Sequence, residues 1–424
     1  MGNSESRDEE FGLVCRRFSE SEVNQLKKLY LSLAAQSRSN GEYIIASVFQ
    51  AYYGIHGALG SRLFDLVTQL RKDQRMTYRD FVTAKAKYEK GFPDEVEEFM
   101  FKLLDLNGDD LVDREEVEAV ILSILETVLG PKDAVTGDGL PDSSVQAFLK
   151  PVRWTEDQGK LLMTPQEFHR WCKLVPSAKK FLTNILHSPG TGSAVIRGRQ
   201  VPQFLIPPKL DNQNIILRRE HAWHIAGKLQ PQECEDWMLL YHSSVNGASF
   251  NTFLKSVSVS KGCTILVIKD KEGCIYGGYA SQPWEKHSEF YGDMKCFLFT
   301  LYPEAAIHRP SGSNSNLQWC AINYTSPNIP NGIGFGGQIH HFGLFIHSAF
   351  DRGSTYPSVT FNSPALSSQA AITPDVIECW GIVVKGGEEG DKGVAVGPKG
   401  TILERFKEER NMLNLVGIAN ASHN

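Results

Sequence analysis

Oxygen-bearing residues recur at fixed spacing in the run DLNGDDLVDREE, from Asp105 to Glu116. Calcium takes roughly six to eight oxygen ligands, and a twelve-residue loop supplies them from positions 1, 3, 5, 7, 9 and 12. The residues at these positions are Asp105, Asn107, Asp109, Leu111, Asp113 and Glu116. The spacing therefore predicts a Ca²⁺ site in which Leu111 contributes its backbone carbonyl and Glu116 both carboxylate oxygens.

The sixth position departs from the usual pattern, because Asp110 stands where glycine normally supplies a left-handed backbone. Aspartate tolerates that conformation better than most residues, at some energetic cost. We therefore expect a micromolar or weaker affinity, roughly 10⁻⁶–10⁻⁴ M. The alternative is a solvated acidic turn that holds no ion.

Helices are predicted on both sides of the loop, because apolar residues recur there at helical spacing. These residues are Val96, Phe99, Met100, Leu103 and Leu104 before the loop, and Val117, Val120, Ile121, Ile124 and Leu125 after it. Val112, at the eighth position, would pair with a second loop across a short strand.

Two segments look like decayed loops. Residues 76–81 lack the ligand-bearing first half, and residues 156–167 place Lys160 where an oxygen is needed.

This helix–loop–helix pattern resembles the EF-hand family of calcineurin-B-like and neuronal sensor proteins. The resemblance rests mainly on Asp105 to Glu116. It implies one competent hand and up to three structural ones, which persist because hands bury their apolar faces in pairs. Several members of that family carry N-terminal myristoyl groups.

The composition is that of a soluble globular protein, with 424 residues, 41% apolar residues, 22% charged residues and a net charge of −5. The length predicts two or three domains. The net charge argues against a nucleic-acid-binding surface spread over the molecule. We expect no membrane span and no secretory signal, and the scattered cysteines indicate reduced cytosolic thiols.

The first residues fit the pattern for N-myristoylation, with Gly2 exposed after removal of Met1 and Ser6 at the preferred hydroxyl position. An unmodified terminus is the alternative. One myristoyl chain binds a bilayer only marginally, so firm attachment needs a second signal. Palmitoylation of Cys15 is a candidate for that signal, and an unmodified cysteine is the favoured alternative. We expect a cytoplasmic protein, peripheral on an endomembrane (lysosome or vacuole) or on the plasma membrane.

The pattern along the chain predicts an α+β protein. The predicted segments are a myristoylation segment at 1–17, a helical domain at 18–187, a linker at 188–209, a strand-rich domain at 210–385 and a C-terminal helix at 398–418. The linker is placed where proline and glycine cluster. Strands are predicted at 263–270, 274–280, 296–302, 342–347 and 376–384 from their β-branched and aromatic content, and helices at 220–226 and 250–257.

The second half of the chain resembles the TLDc domain family. The matching pieces include LLYHSS at 239–244, NGASF at 246–250, YGGYAS at 276–281, PNGIGFGGQ at 330–338, FGLF at 342–345, TFNSP at 360–364 and ECWG at 378–381. Residues 345–347 and 309–312 depart from the family pattern, and we expect such changes to affect the choice of partner and not the fold. With the EF-hands and Gly2, the combination resembles the mTOR-associated TLDc proteins of animals.

The resemblance implies an antiparallel β-sandwich flanked by helices, with no established catalytic centre. It also implies protection against oxidative damage and binding to the peripheral sector of the vacuolar-type proton pump. The leading hypothesis is therefore a non-enzymatic, calcium-responsive, membrane-associated adaptor with a role in oxidative stress resistance or growth signalling. The alternatives are a cytosolic enzyme of oxidative defence and a calcium-insensitive structural interaction protein.

The enzymatic alternative rests on three features. The glycine run at 332–337 lacks the strand, capped helix and Lys-Ser/Thr of a phosphate loop, so we interpret it as a structured loop with close packing or positive φ. His340 and His341 would face opposite sides of a strand. Glu378 lies among apolar neighbours that could raise its pKa, and a hydrogen bond to the glycine run is the favoured role.

Overall fold

The computed structural model describes residues 9, 11–37, 42–69, 73–130, 142–187, 198–208, 210 and 214–384. Everything described lies within one compact unit that ends at Val384. Gly2 and the predicted C-terminal helix at 398–418 lie outside the described residues. Across the described part, no helix combines the length and the apolar character that crossing a bilayer demands.

Helices fill the first half of the chain. They are α1 (Glu20–Gln36), α2 (Ala46–Tyr53), α3 (Gly57–Val67), α4 (Tyr78–Glu89), α5 (Pro93–Leu104), α6 (Arg114–Leu129), α7 (Asp142–Leu149), α8 (Pro165–Leu174) and α9 (Pro176–Thr183). Their starts follow local chemistry: α1 has a reciprocal capping box between Ser19 and Glu22, and α5, α8 and α9 begin at proline. The apolar faces predicted for α5 and α6 supply buried residues to one shared core.

Two short backbone pairings tie these helices together. Ile44, before α2, and Met76, before α4, each donate an N–H to the other's carbonyl at 3.0 Å. The second pairing joins the loop after α5 to the hairpin of β1 (Thr155–Asp157) and β2 (Lys160–Leu162), where Met163 donates its N–H to the Val112 carbonyl at 2.8 Å. The sequence therefore placed Val112 correctly as a pairing residue.

Strands dominate the second half. They are β3 (Gln203–Leu205), β4 (Asp236–His242), β5 (Thr264–Asp270), β6 (Ile275–Ala280), β7 (Phe297–Tyr302), β8 (Ala306–His308), β9 (Gln318–Ala321), β10 (Gly332–Gln338), β11 (His341–His347), β12 (Gly353–Ser354), β13 (Ala371–Ile372) and β14 (Pro374–Val383). The helices α10 (Arg219–Ala226), α11 (Ser243–Asn246) and α12 (Phe250–Val257) interrupt them. This confirms the predicted α+β class.

The strands form two sheets that share a core. One has the order β3-β4-β14-β5-β6-β7-β8 and the other β13-β12-β11-β10-β9. Gly278 on β6 permits the close approach of the sheets, because a Cβ built there would lie 2.7 Å from the Phe335 ring of β10. The pairing is antiparallel except between β3 and β4, which run parallel, so the expectation of an antiparallel sandwich needs that one correction.

The helical and sheet-bearing halves are packed against each other. Trp223 on α10 and Ala305 after β7 are buried in the core of the helical half. Ala305 also donates its N–H to the carbonyl of Ala147 on α7 at 2.8 Å. On the same side, the Ser144 hydroxyl donates to Glu220 at 3.0 Å, with both side chains buried. A displacement of α7 would therefore act directly on the sheet-bearing half through these two hydrogen bonds.

Candidate functional site

The loop from Asp105 to Glu116 connects α5 to α6. Helix α5 ends with Asp105 as its C-cap, and α6 begins after Asp113 as its N-cap. Asp113 accepts the N–H of Glu116 at 3.0 Å, and Glu116 accepts the N–H of Asp113 at 3.0 Å. This reciprocal capping box fixes the start of α6 and holds the last predicted ligand beside the loop.

The loop backbone has the curvature that the spacing predicts. Gly108, at the fourth position, has φ +78°, and Asp110, at the sixth, has φ +64°. Asp110 is thus held in the left-handed region, which costs an L-residue free energy that glycine would not lose. The sequence identified both the conformation and its unfavourable residue.

The side-chain oxygens of the loop are turned onto its own backbone. Asp105 Oδ1 accepts the N–H of Gly108 at 2.6 Å, Asn107 Oδ1 accepts that of Asp109 at 2.8 Å, and Asp109 Oδ1 accepts that of Leu111 at 2.9 Å. Such bonds keep short polar side chains close to the loop and satisfy backbone donors that the tight turn leaves unpaired.

Glu116 is the most enclosed of the loop carboxylates apart from Asp105. Its Oε1 accepts the N–H of Asn107 at 3.0 Å, while Oε2 is engaged by Asp113. Burial raises the pKa of Glu116, and the charges of Asp113 and Asp105 act in the same direction, against the two backbone donors. A divalent cation in the loop would relieve that crowding of negative charge.

Two cations already contact predicted ligands. Arg62, on α3, places Nη2 2.9 Å from Asp105 Oδ2, and both side chains are buried. Lys160, on β2, places Nζ 3.7 Å from Asp113 Oδ2 and is largely exposed. Sequence reasoning missed Arg62. The signal was present, since an arginine lies between Leu59, Leu63 and Leu66 on the apolar face of α3.

The six predicted residues fit calcium in their chemistry and backbone, but the carboxylates among them are not gathered around one point. Within residues 9–384, as far as they are described, no three His, Cys, Asp or Glu side chains are grouped as a metal ligand set. All six donors are the oxygens that Ca²⁺ prefers, and the loop curves as such a loop requires. Binding would require Glu116 to exchange its amide donors for the ion.

The neighbouring loop at 156–167 has the same backbone pairing but different side-chain partners. Glu167, at its twelfth position, accepts the backbone N–H of Arg153 at 2.8 Å and is gripped by Arg170, with Nε 2.9 and 3.0 Å from its two oxygens. Burial by itself would raise the pKa of Glu167, but these donors lower it below its usual value. An internal guanidinium thus neutralises this carboxylate.

Glu378, on β14, is fully buried. Its Oε1 accepts the N–H of Ile216 at 2.6 Å, and Oε2 accepts those of Leu217 at 3.2 Å and Trp380 Nε1 at 2.9 Å. The expected hydrogen bond to the glycine run is therefore wrong, because Glu378 binds the chain just before α10. Burial raises its pKa to about 7 despite these donors.

The glycine run at 332–337 is strand β10 itself, so its interpretation as a loop is wrong. Gly336 and Gly337 have φ +66° and +79°, which confirms the predicted positive φ. His340 has φ +68° in the turn to β11, and His340 and His341 are both exposed. These histidines and the glycines thus shape a hairpin.

Burial lowers the reactivity of several thiols in the sheet-bearing half. It raises the pKa of Cys263 and Cys296 above the ordinary thiol value, and that of Cys379 to about 12. A thiol that stays protonated at neutral pH is a poor nucleophile, so these side chains are unsuited to direct scavenging of peroxides.

Comparison with known proteins assigns the second half of the chain. Residues 210–383 match the TLDc domain family. Mouse MTOR-associated protein MEAK7 is 32% identical over 259 residues, 59% of this chain and 54% of that protein. Human MTOR-associated protein MEAK7 is 24% identical over 98% of this chain and 97% of that protein. Human nuclear receptor coactivator 7 is 28% identical over 41% of this chain and 18% of that protein.

The chain spans about half the length of the mouse and chicken relatives. Among solved structures, a chain of a PP2A PR70 holoenzyme has 22% identity and a TM-score of 0.28, covering 39% of this chain and 57% of that chain, which is too distant for a structural argument. The residues that match the family, 210–383, include strands β4 to β14 of the two sheets. This chain therefore carries a TLDc domain at residues 210–383 and is homologous to MTOR-associated protein MEAK7.

Proposed function

We propose that this protein is a non-enzymatic, calcium-responsive adaptor whose TLDc domain binds a protein partner. The single observation that carries calcium responsiveness is the loop from Asp105 to Glu116, in which six oxygen donors share a turn with positive φ at Gly108 and Asp110. The names of the relatives describe proteins that associate with mTOR or act as a receptor coactivator, which supports a protein partner.

The direct contact between the two halves supplies a route for the response. Helix α6 follows the loop, packs beside α7, and α7 bonds to the chain after β7 through Ala147 and Ala305. An ion bound between α5 and α6 would alter their angle, as in sensor proteins that contain such loops. That change would reach the TLDc domain through α7.

The partner that the TLDc resemblance suggests is the vacuolar-type proton pump, and a myristoyl group on Gly2 would hold the adaptor at a membrane surface. The corresponding location is the cytoplasmic face of an endomembrane or of the plasma membrane. A role in oxidative stress resistance or growth signalling follows from the same resemblance. These assignments go together, because a membrane-bound pump is met most readily by a protein held at the same surface.

Calorimetric titration of the full chain with CaCl₂ tests the sensor role. We expect saturable heat, and at least roughly 100-fold weaker binding for Glu116→Gln, because the neutral amide loses one anionic oxygen pair from the ion. Glu167→Gln is the matched control at the twelfth position of the neighbouring loop and should leave the affinity unchanged. Absence of heat in the folded wild-type chain would remove calcium from the proposal.

Affinity purification from cells in calcium and in chelator tests the adaptor role. We expect the captured partner, with subunits of the proton pump as the candidates, to change in amount between the two conditions. The same comparison with Glu116→Gln should abolish the difference. Capture that is equal in calcium and chelator would leave the TLDc partner but reject calcium control.

A calcium-insensitive interaction protein is the second candidate, and one observation favours it. The loop oxygens are already bonded to backbone amides and to Arg62, which satisfies them without an ion. The enzymatic alternative has less support. Glu378 is fully buried, and both of its carboxylate oxygens are engaged by donors of the protein, so the carboxylate is not presented to a substrate.

A further inference from the structure

One basic side chain enters the candidate calcium loop from another part of the helical half. Arg62 extends from α3, and its Nη2 lies 2.9 Å from Asp105 Oδ2. Its Nε donates to the carbonyl of Lys102 near the end of α5 at 3.2 Å. A Cβ built on Gly108 would lie 3.2 Å from Nη1, so the guanidinium also borders the loop backbone.

This ion pair differs from an ordinary surface contact. The side chains of Arg62 and Asp105 are only 7% and 6% exposed. Charges this well shielded from water interact strongly, and removal of one partner leaves the other buried and uncompensated. The planar guanidinium of Arg62 thus places a positive charge directly beside Asp105.

The Arg62–Asp105 ion pair lies where it would affect ion binding. Asp105 is the first ligand position of the loop, and its Oδ1 already accepts the N–H groups of Gly108 and Asp109. Oδ2 is the oxygen that Arg62 holds, together with the N–H of Asp110. A cation arriving at Asp105 therefore meets a carboxylate whose charge is largely neutralised.

We propose that Arg62 is an internal competitor for calcium at this loop and sets its affinity. The inference rests on the proposed calcium site and deepens it. Calcium binding weakens the Arg62–Asp105 contact, and because Arg62 belongs to α3, loading the loop loosens α3 from the end of α5. The ion thus signals back to the first helices as well as forward to α7.

Lys160 provides an internal comparison. It also approaches a predicted ligand, but its Nζ lies 3.7 Å from Asp113 Oδ2 and its side chain is 54% exposed. Solvent and salt screen an exposed pair of this kind. We therefore assign the control of affinity to Arg62 and only a minor effect to Lys160.

Calorimetric titration with CaCl₂ of the full chain tests the proposal. Arg62→Gln removes the charge and retains a hydrogen-bond donor, and we expect roughly tenfold tighter binding or more, because calcium then relieves an unpaired carboxylate. Lys160→Gln is the matched control, with a change below about threefold. Arg62→Lys restores the charge and should bring the affinity back towards that of the wild type.

The outcomes separate this inference from the calcium site itself. Equal or weaker binding by Arg62→Gln overturns the inference and leaves the site intact. Heat in Arg62→Gln but not in the wild type supports the competitor and removes the sensor role of the natural chain. Absence of heat in both folded proteins overturns both.

Hydrogen exchange of the wild type needs no variant and covers the case in which Arg62→Gln fails to fold. Adding calcium should speed amide exchange in peptides from residues 57–67, because α3 loses a contact at the loop. Protection in α3 that is unchanged or increased, in a sample shown by calorimetry to be loaded, overturns the proposal.

Discussion

Two regions of the molecule bury carboxylates in different ways. In the helical half, Asp105 is paired with an arginine from another helix, and Glu116 accepts two amides of its own loop. In the TLDc domain, Glu378 is enclosed in the sheet and takes its three donors from the chain before α10 and from Trp380. The carboxylates of the loop have hydrogen-bond partners that a small movement could replace, whereas the partners of Glu378 are fixed by the packing of the sheet.

The difference shows what each region is suited to do. A loop at the surface can turn its oxygens from amides to an ion with a small movement of the backbone. A sheet cannot make such a movement, because hydrogen bonds to the neighbouring strands hold its backbone in place. A polar group buried in the sheet must therefore have permanent hydrogen-bond partners within the fold. The regulation that we propose is therefore assigned to the helical half, and the proposed docking of a partner is assigned to the more rigid TLDc domain.

The largest expected effect tests the rigidity of the TLDc domain. A Cβ built on Gly277 of β6 would lie 1.8 Å from the Leu266 carbonyl oxygen on β5, so Gly277→Ala must push two paired strands apart. We expect a loss of at least about 3 kcal/mol in the free energy of unfolding, measured by urea denaturation. Gly262→Ala is the control, because the nearest atom to its Cβ is 3.7 Å away. Similar stabilities would contradict the picture of a rigid sheet.

The second effect concerns Glu378 and pH. The carboxyl ionises near 4.5 when unfolded and near 7 in the fold, so between these values the folded state keeps a proton that the unfolded state has released. Stability from this group is therefore complete below pH 4.5 and is lost as pH rises to 7, by about 3 kcal/mol in total. Glu378→Gln should remove this loss from denaturation curves recorded across that range. If the stability of Glu378→Gln has the same pH dependence as that of the wild type, the sheet tolerates the ionised Glu378 carboxylate and the prediction is wrong.

The smallest effect has the opposite sign and belongs to the helical half. Arg170 lowers the pKa of Glu167, so this carboxylate stabilises the fold above its unfolded pKa, and that stabilisation is lost as pH falls through the lower, folded value. Glu167→Gln should remove about 1 kcal/mol of acid-dependent stability. Thermal unfolding between neutral and acidic pH measures it. Loss of stability on raising the pH would contradict the assignment.

Much of the architecture was accessible from the sequence because it depends on local chemistry. Residues 250–257 were predicted as a helix and form one, with Ser249 as the N-cap. The strands predicted at 263–270 and 274–280 correspond to β5 and β6, which pair as a hairpin whose turn contains Gly273 with φ +84°. Hydrophobic periodicity, helix caps and turn residues each depend on a few consecutive positions, so the sequence alone reveals them. The predicted domain limits stay predictions.

The glycine run at 332–337 shows how local chemistry can mislead. So many glycines indicate a loop, yet these residues form a buried strand, because neighbouring chains approach where side chains would not fit. A Cβ on Gly332 would lie 2.2 Å from the Ile346 carbonyl oxygen. The same absence of side chains that permits a loop also permits a crowded sheet. Only the neighbours distinguish the two.

The sequence by itself determined the types and spacing of the predicted ligands and the left-handed residue at Asp110, since these are properties of twelve consecutive positions. The tertiary structure alone decided which charges meet those ligands. Arg62 lies 43 residues before Asp105, and Glu378 takes its amide donors from residues more than 160 positions earlier. Electrostatic interactions act through space, so their partners are set by how the helices and sheets pack.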